Sequence, residues 1–403
     1  MHKVERVGVV GWLLLLALGL NLRPILTSIS PLLDDIRVDT AMSFQVAALL
    51  TTLPVICIGL VALCGAWVEA RLGEGRGIAL GLLCILFACL SRGLIADGNL
   101  LLMSALLGGL GIALIQVLVP GMIKRQFVGG VALAMGVYSA SLMGGGGLAA
   151  LISPRLAHSF GHWQVGLWVW LIPALLAFVL WLKMPWHTPH SLAQKLSWKT
   201  FIGNRRAWAL AVYFGFCNWG FMTVVAWLPA YYQQLGWTQQ ASGALLAWMT
   251  IFQVTAALSM PVLAHRIQDR RPLLGVSLLA QLMGFSGLLF APLLAPAVWV
   301  GLIGFGLGAC FVLCLLLSMD HLHEPRLAGQ LAAFVQGFGF LINALAPSLG
   351  GLLREVTGSF HSTWQFTVLS LLAMLLMTLR FSPASYSRIG AFNALSPAHG
   401  GQR

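Results

Sequence analysis

Long apolar runs, broken by short polar or basic clusters, recur from one end of the chain to the other. Each is about 20 residues long, the length at which an α-helix crosses the hydrocarbon core of a bilayer. Twelve such spans are predicted. The first six cover 9–33, 44–68, 77–96, 100–123, 131–152 and 163–182. A polar segment, 184–206, follows. The last six cover 207–230, 241–264, 273–294, 297–318, 328–349 and 364–379. The pattern predicts an all-α polytopic membrane protein in two six-helix halves, 1–183 and 207–403, joined by a cytoplasmic linker at 184–206.

Composition supports the pattern. Of 403 residues, 59% are hydrophobic and 8% are charged, against about 25% charged in a soluble domain. Such a chain could not cover a water-facing surface, and it lacks the high charge of a disordered one. The net charge of +12 would suit nucleic acid if it formed one patch. It does not: the basic residues sit in short clusters between spans. Lys3 and Arg6 before Gly8–Leu20 resemble a secretory signal, yet no small-residue cleavage site follows. The first span is therefore expected to remain as a helix. All seven cysteines lie in apolar runs and are read as packing residues.

Orientation follows from lysine and arginine, which favour the cytoplasmic side. Of the 23, Arg37, Arg92, Arg155 and Arg354 fall on the outer side if both termini are cytoplasmic. Arg23 falls within the membrane, and the remaining 18 are cytoplasmic. An even number of spans satisfies this distribution.

The halves repeat at an offset of about 197. Gly109-Leu110-Gly111 returns as Gly306-Leu307-Gly308, Ala48-Leu49-Leu50 as Ala244-Leu245-Leu246, and Asn21 as Asn218. Six plus six parallel spans is the build of major facilitator carriers, in which substrate binds near the midplane between the halves. Gly65-Ala66-Trp67-Val68-Glu69-Ala70-Arg71-Leu72-Gly73, running on to Arg76, resembles the loop signature of that superfamily.

Polar side chains gather in particular spans. The third, sixth and twelfth are apolar nearly all round, which suits lipid-facing positions; Gln281 interrupts this pattern in the ninth. Asn21, Arg23, Thr27 and Ser30 lie in the first span, Gln116 in the fourth, Tyr138 in the fifth, Asn218 in the seventh, Gln253 in the eighth and Gln336 in the eleventh. Each could bond only to a neighbouring helix. Their segregation marks the spans expected to face a central cavity.

Arg23 is the sharpest feature. A charged arginine at mid-membrane costs at least ~2.5 kcal/mol and by default faces a cavity. Arg92, the other arginine inside a span, lies near the end of the third and is expected to snorkel to the interface. No span holds an Asp or Glu in its interior; Asp34 and Asp35 lie at the mouth of the first. Two partners remain for Arg23. One is protein: backbone carbonyls, or Asn and Gln, with Pro24 freeing the Leu20 carbonyl. The other is a transported anion, which a permanently charged, planar guanidinium suits. Thr27 and Ser30 share its helix face, whereas Asn21 points elsewhere and is expected to hold the first span against a neighbour. The second half has no equivalent, since Trp219 or Gly220 falls at the repeat position. A single charge points to a small monovalent anion.

Energetics add a condition. An anion entering a negative-inside cell climbs ~2.3 kcal/mol per 100 mV. Uptake needs a co-transported proton, an exchanged anion or rapid consumption inside. All ten histidines are placed in loops or tails, so no membrane His serves as a proton site.

Asn21-Leu22-Arg23-Pro24 with Thr27-Ser28 and Pro31-Leu32-Leu33 resembles the cyanate/nitroimidazole transporter family of the major facilitator superfamily. Met42-Ser43-Phe44, Val46 through Pro54, Ile123-Lys124-Arg125 with Phe127, and Ser141 through Gly147 extend the resemblance. It implies an inner-membrane carrier for a small anion such as cyanate. The family's motif maps onto Asn21, Arg23 and Pro24. The other candidate binding residues, Thr27, Gln116, Tyr138, Asn218, Gln253 and Gln336, follow from span position. The alternative is an exporter of small heteroaromatic compounds of the nitroimidazole type, with Trp219, Trp227, Trp248 and Phe252 lining an aromatic pocket. An enzyme has no support, there being no soluble domain and no nucleophile–base pair. No cofactor, metal or nucleic acid is expected; the partners are a small anion and the lipid bilayer, and the chain is expected to be a monomer.

Overall fold

The computed structural model describes residues 9–94, 97–127, 130–183, 198–267, 269–322, 324–386 and 389. Among these every regular element is helical. Most of the expected linker, and the chain start read as an uncleaved helix entrance, lie outside the described residues.

Eleven segments of the described residues are long and apolar enough to cross a membrane. They fall on the first eleven predicted spans. The helices are α1 (Val9–Leu20), α2 (Pro24–Thr27), α3 (Leu33–Thr40), α4 (Phe44–Leu63), α5 (Gly65–Leu94), α6 (Gly98–Gln126), α7 (Val131–Phe160), α8 (Trp163–Trp168) and α9 (Leu171–Lys183). The second half follows with α10 (Arg205–Cys217), α11 (Trp219–Gln234), α12 (Gln239–Arg266), α13 (Arg271–Phe290), α14 (Pro296–Asp320), α15 (Pro325–Asn343), α16 (Leu345–Thr357) and α17 (His361–Thr378). The last takes the place of the twelfth span; its first turn, with His361, Ser362 and Thr363, is polar, and it packs along α13.

The first span is not the continuous helix expected over 9–33. It breaks after Leu20, restarts as the short α2, and passes through a 3-10 turn at Ser30–Leu32 into α3. Proline explains the break, since Pro24 has no N–H for the Leu20 carbonyl. Asn21 finishes the stop by donating from its side chain to Ala17 O at 2.8 Å. The seventh span breaks at the repeat-related residue: Asn218 separates α10 from α11 and donates to Phe214 O at 2.8 Å. The repeat is therefore one of backbone shape as well as of sequence.

The repeated glycine pairs do equivalent work. Gly109 meets Pro54 of α4 while Gly111 meets the Gly81 carbonyl of α5. In the second half Gly308 meets Gln253 of α12 and Gly306 the Ser277 carbonyl of α13. A helix with small residues can thus lie close to two others. Exposed apolar side chains mark the outside, including Leu80 and Phe87, Ile172 and Leu176, Val276 and Met283, and Leu369 and Leu376. Gln281 lies on the inner face of α13, donating to Cys217 O at 3.3 Å.

At one end of the bundle, ion pairs tie the short loops down. Arg125, closing α6, pairs with Glu69 and Glu74 of the loop-signature segment. Gly73 turns that segment with φ 67° and ψ 169°, a region open essentially to glycine alone. In the second half Arg270 reaches Asp320 at 2.7 Å, the same tie with the charges exchanged.

Two sequence expectations need correcting. Arg92 does not snorkel: it is 2% exposed, because Ser104 Oγ and Ile25 O accept from its guanidinium inside the bundle. The histidines are not all in loops or tails either. His158 and His265 lie in the last turns of α7 and α12, and His361 opens α17. Helices that run past the predicted spans carry them.

Candidate functional site

The break in the first span sets the site. Arg23 is the last residue before α2, so its side chain leaves the backbone at the break between two helices. Behind it α7 comes unusually near. A Cβ on Gly145 would lie 2.2 Å from the Leu20 carbonyl oxygen, and one on Gly146 would lie 3.1 Å from Arg23 Cβ. Gly145 and Gly146 are thus what let the fifth span close against the broken first one, while Gly147 faces Thr250 of α12.

The guanidinium of Arg23 faces a small cavity of about 10 Å³, lined by Arg23, Thr27, Gly146, Phe221, Thr250 and Gln253 among others. That is room for about one water. The lining comes from both halves: α2 and α7 from the first, α11 and α12 from the second. Phe221 presents its ring to Arg23, with the guanidinium carbon 4.5 Å from the ring centre. Among the described residues, no carboxylate and no hydrogen-bond acceptor pairs with the Arg23 side chain. The alternative in which backbone carbonyls or Asn and Gln satisfy it is therefore not what the structure shows. The Tyr138 hydroxyl is buried and without a hydrogen-bond partner, and it is not part of the lining of this cavity.

The other candidates divide. Thr27 and Gln253 line the cavity. The Thr27 hydroxyl shares its proton between Arg23 O at 3.1 Å and Gly146 O at 2.9 Å, so it faces a ligand only as an acceptor. Asn21 and Asn218 do not line the cavity; they stop their helices, and Asn21 also donates to Pro173 O at 3.0 Å, tying the break to α9. Gln116 and Gln336 are half-buried on α6 and α15 and are not brought to Arg23. The four aromatics do not line this cavity, although Trp248 and Phe252 pack edge to face at 5.2 Å. Trp227 bonds to Pro347 O, Trp248 to Ala297 O, and Trp219 stacks on Phe216. Phe221 was missed, although the repeat offset from Arg23 lands one residue before it.

The two sides of the cavity differ. Towards α3 the halves are bonded together. Ser30 Oγ donates to Ala226 O at 3.0 Å, Gln233 to Pro31 O at 3.0 Å, and Gln239 to Asp35 at 2.8 Å. The Gln45 N–H meets Glu355 at 2.9 Å, and Arg354 lies over the Phe44 ring. Towards the start of α7 and the end of α12 lies an apolar cavity of about 460 Å³. Met143 lines both spaces.

The sequence profile of the Major Facilitator Superfamily matches residues 13–347. The chain belongs to the major facilitator superfamily. It is 44% identical over 378 residues to the cyanate transport protein CynX of Escherichia coli (strain K12), covering 94% of this chain and 98% of that one. It is 30% identical to the 2-nitroimidazole transporter of the same organism, covering 86% and 88%. Among solved structures it resembles a D-xylose-proton symporter, with a TM-score of 0.74 at 16% identity over 91% of this chain and 96% of that one. This major facilitator protein is a multi-pass inner-membrane secondary transporter of a small solute, working by alternating access, and not an enzyme. A site shared between halves, bonded shut on one side and beside a cavity on the other, is what that mechanism requires.

Proposed function

We propose that the chain carries a small monovalent anion, cyanate or one of similar size and shape, with Arg23 as its binding charge. The observation that carries this reading is a mid-membrane guanidinium that faces a two-half cavity and, among the described residues, has no carboxylate counter-ion. A buried charge left unpaired is costly, so an anion that enters supplies what the protein withholds. Gln253 supplies an amide from the other half. The cavity, with room for about one water, has to widen less for a thin, linear ion than for a ring. The resemblance to the cyanate transport protein supports the same choice.

In this reading the α3 side is the outer one, both termini are cytoplasmic, and the structure is the inward-facing state of a monomer with halves 1–183 and 207–403. A coupled proton or an exchanged anion drives uptake. The second reading, export of small heteroaromatic compounds, draws on the Phe221 ring and on the 2-nitroimidazole relative.

Labelled cyanate uptake into proteoliposomes, with pH gradient and membrane potential imposed independently, tests the proposal. Saturable uptake that responds to one of these gradients supports it. Transport of 2-nitroimidazole with no cyanate uptake under any gradient would replace the first reading with the second.

A further inference from the structure

Arg92 is the second arginine buried in this bundle, and it reaches the same stretch of backbone that carries Arg23. Its Nη1 donates to Ile25 O at 2.9 Å and its Nε to Ser104 Oγ at 3.0 Å. Ser104 in turn donates to Leu101 O at 2.6 Å, which fixes its hydroxyl as the acceptor towards Arg92. Ile25 lies two residues after Arg23, in the single turn of α2. The helical ladder falters there. The Ser28 N–H still reaches Pro24 O at 3.1 Å, but the next carbonyl, Ile25 O, takes the arginine of α5 instead. Gly108 of α6 makes room for this, since a Cβ there would stand 2.6 Å from Ile25 Cδ1. The third and fourth spans thus grip the first at its break, on the side away from the cavity.

We propose that Arg92 is a positioning residue for the substrate site: by holding Ile25 O it keeps α2 in place, and so keeps the Arg23 guanidinium aimed between the halves. Without it the Ile25 carbonyl would seek the Ile29 N–H, as a regular helix does. α2 would then lengthen towards the 3-10 turn at Ser30–Leu32, and Arg23 at its start would turn away from Phe221 and Gln253. A charge-assisted hydrogen bond is strong enough to hold such a local choice. Arginine is required and not merely a charge, because two acceptors from two different spans must be met by one planar group. This inference rests on the reading of Arg23 as the anion site.

The test is cyanate uptake into proteoliposomes by Arg92→Gln, Arg92→Lys and Ser104→Ala, at matched amounts of inserted protein, with Arg23→Gln alongside. KM and the maximal rate are read separately. We expect KM to rise about tenfold in Arg92→Gln with the maximal rate within about threefold. Arg92→Lys should recover part of the loss, and Ser104→Ala should raise KM about threefold. A KM within twofold of the parent in Arg92→Gln overturns the proposal, as does a fall in maximal rate alone, which marks a purely structural brace. Should Arg92→Gln fail to insert, Ser104→Ala decides by the same criterion. If Arg23→Gln takes up cyanate normally, the anion reading falls and this proposal with it. If Arg23→Gln is inactive while KM is unmoved in both other sites' variants, only the present proposal falls.

Discussion

The guanidinium of Arg23 and the ring of Phe221 lie 4.5 Å apart across the boundary between the two halves. The contact satisfies the face of the cation and leaves its N–H edges free for a ligand. A cation–π pair is worth about 0.5–2 kcal/mol depending on its desolvation. Phe221→Leu should therefore raise KM for cyanate roughly three- to tenfold while sparing the maximal rate, and Phe221→Tyr should stay near the parent value. Uptake kinetics in proteoliposomes check this. An unchanged KM in Phe221→Leu would mean that the ring merely packs beside the arginine.

Arg23 itself should tolerate almost nothing. Arg23→Gln should lose nearly all uptake, and Arg23→Lys most of it, since lysine keeps the charge but not the planar fork. Both should insert normally, because neither adds a charge to the membrane. Fluorescence-monitored size exclusion of the tagged variants controls for insertion. Near-normal uptake by Arg23→Gln would remove the arginine from the site.

Much of this was legible in the residues. The apolar runs gave the spans because backbone groups in lipid must bond within a helix, which leaves length as the main variable. The offset that aligns Asn21 with Asn218 predicted a repeat that the backbone then shows as two matching breaks. Arg23 was visible because a mid-membrane charge is costly. What was hidden depended on neighbours. Arg92 read as a snorkelling residue because its acceptors, Ser104 Oγ and Ile25 O, belong to other spans, and one is a carbonyl released by a break. Phe221 had no signal of its own among so many aromatic residues. Asn21, expected to hold the first span against a neighbour, does so through Pro173 O and also ends its helix, whereas Asn218, a candidate binding residue, ends its own helix, a distinction that lies in where one amide points.

Gly145 should be intolerant of any side chain. A Cβ there would stand 2.2 Å from Leu20 O, a backbone atom that cannot swing aside as a side chain would. Gly145→Ala should cost about 1–3 kcal/mol as overpacking. Its melting midpoint in detergent should fall by several degrees, and inserted protein should drop. Gly144→Ala is the control, since nothing stands within 4 Å of its Cβ. Equal stability of the two variants would contradict the close approach of α7 to the broken first span.

His321 gives a pH-dependent prediction away from the site. Its ring lies between Leu317 O, 2.7 Å from Nδ1, and the Arg206 Nε–H, 3.1 Å from Nε2. The second contact needs an unprotonated Nε2, so the ring is neutral with its proton on Nδ1. Burial, opposed in part by the Leu317 carbonyl, brings its pKa down from 6.5 to about 4, and the charge of Arg206 adds to the fall. As pH drops through 6.5 the unfolded chain takes up this proton first, so the folded state loses ground until pH 4. Stability from this residue is fully present above about pH 6.5 and declines below it. His321→Gln, whose amide can accept from Arg206 and donate to Leu317 O, should flatten that acid limb. Thermal melting in detergent between pH 4 and 7.5 reads the difference.

The mouth carboxylates should not carry the coupling proton. Asp34 stands 3.8 Å from Arg37, and Asp35 accepts from Gln239 at 2.8 Å. Both are engaged at the closed rim, and neither pairs with Arg23. A proton relay would need a carboxylate that meets the arginine site in one state and releases its proton in another. The double variant Asp34→Asn and Asp35→Asn should therefore keep the pH profile of uptake, changing its height by no more than a few-fold. Asp35→Asn alone keeps an acceptor oxygen for Gln239, so the rim bond survives it. Asp35→Leu removes that bond and should speed opening of the rim, which raises counterflow relative to net uptake. A profile that shifts or flattens in the double Asn variant, measured from pH 5 to 8 at fixed potential, would place a proton site at the mouth of the first span.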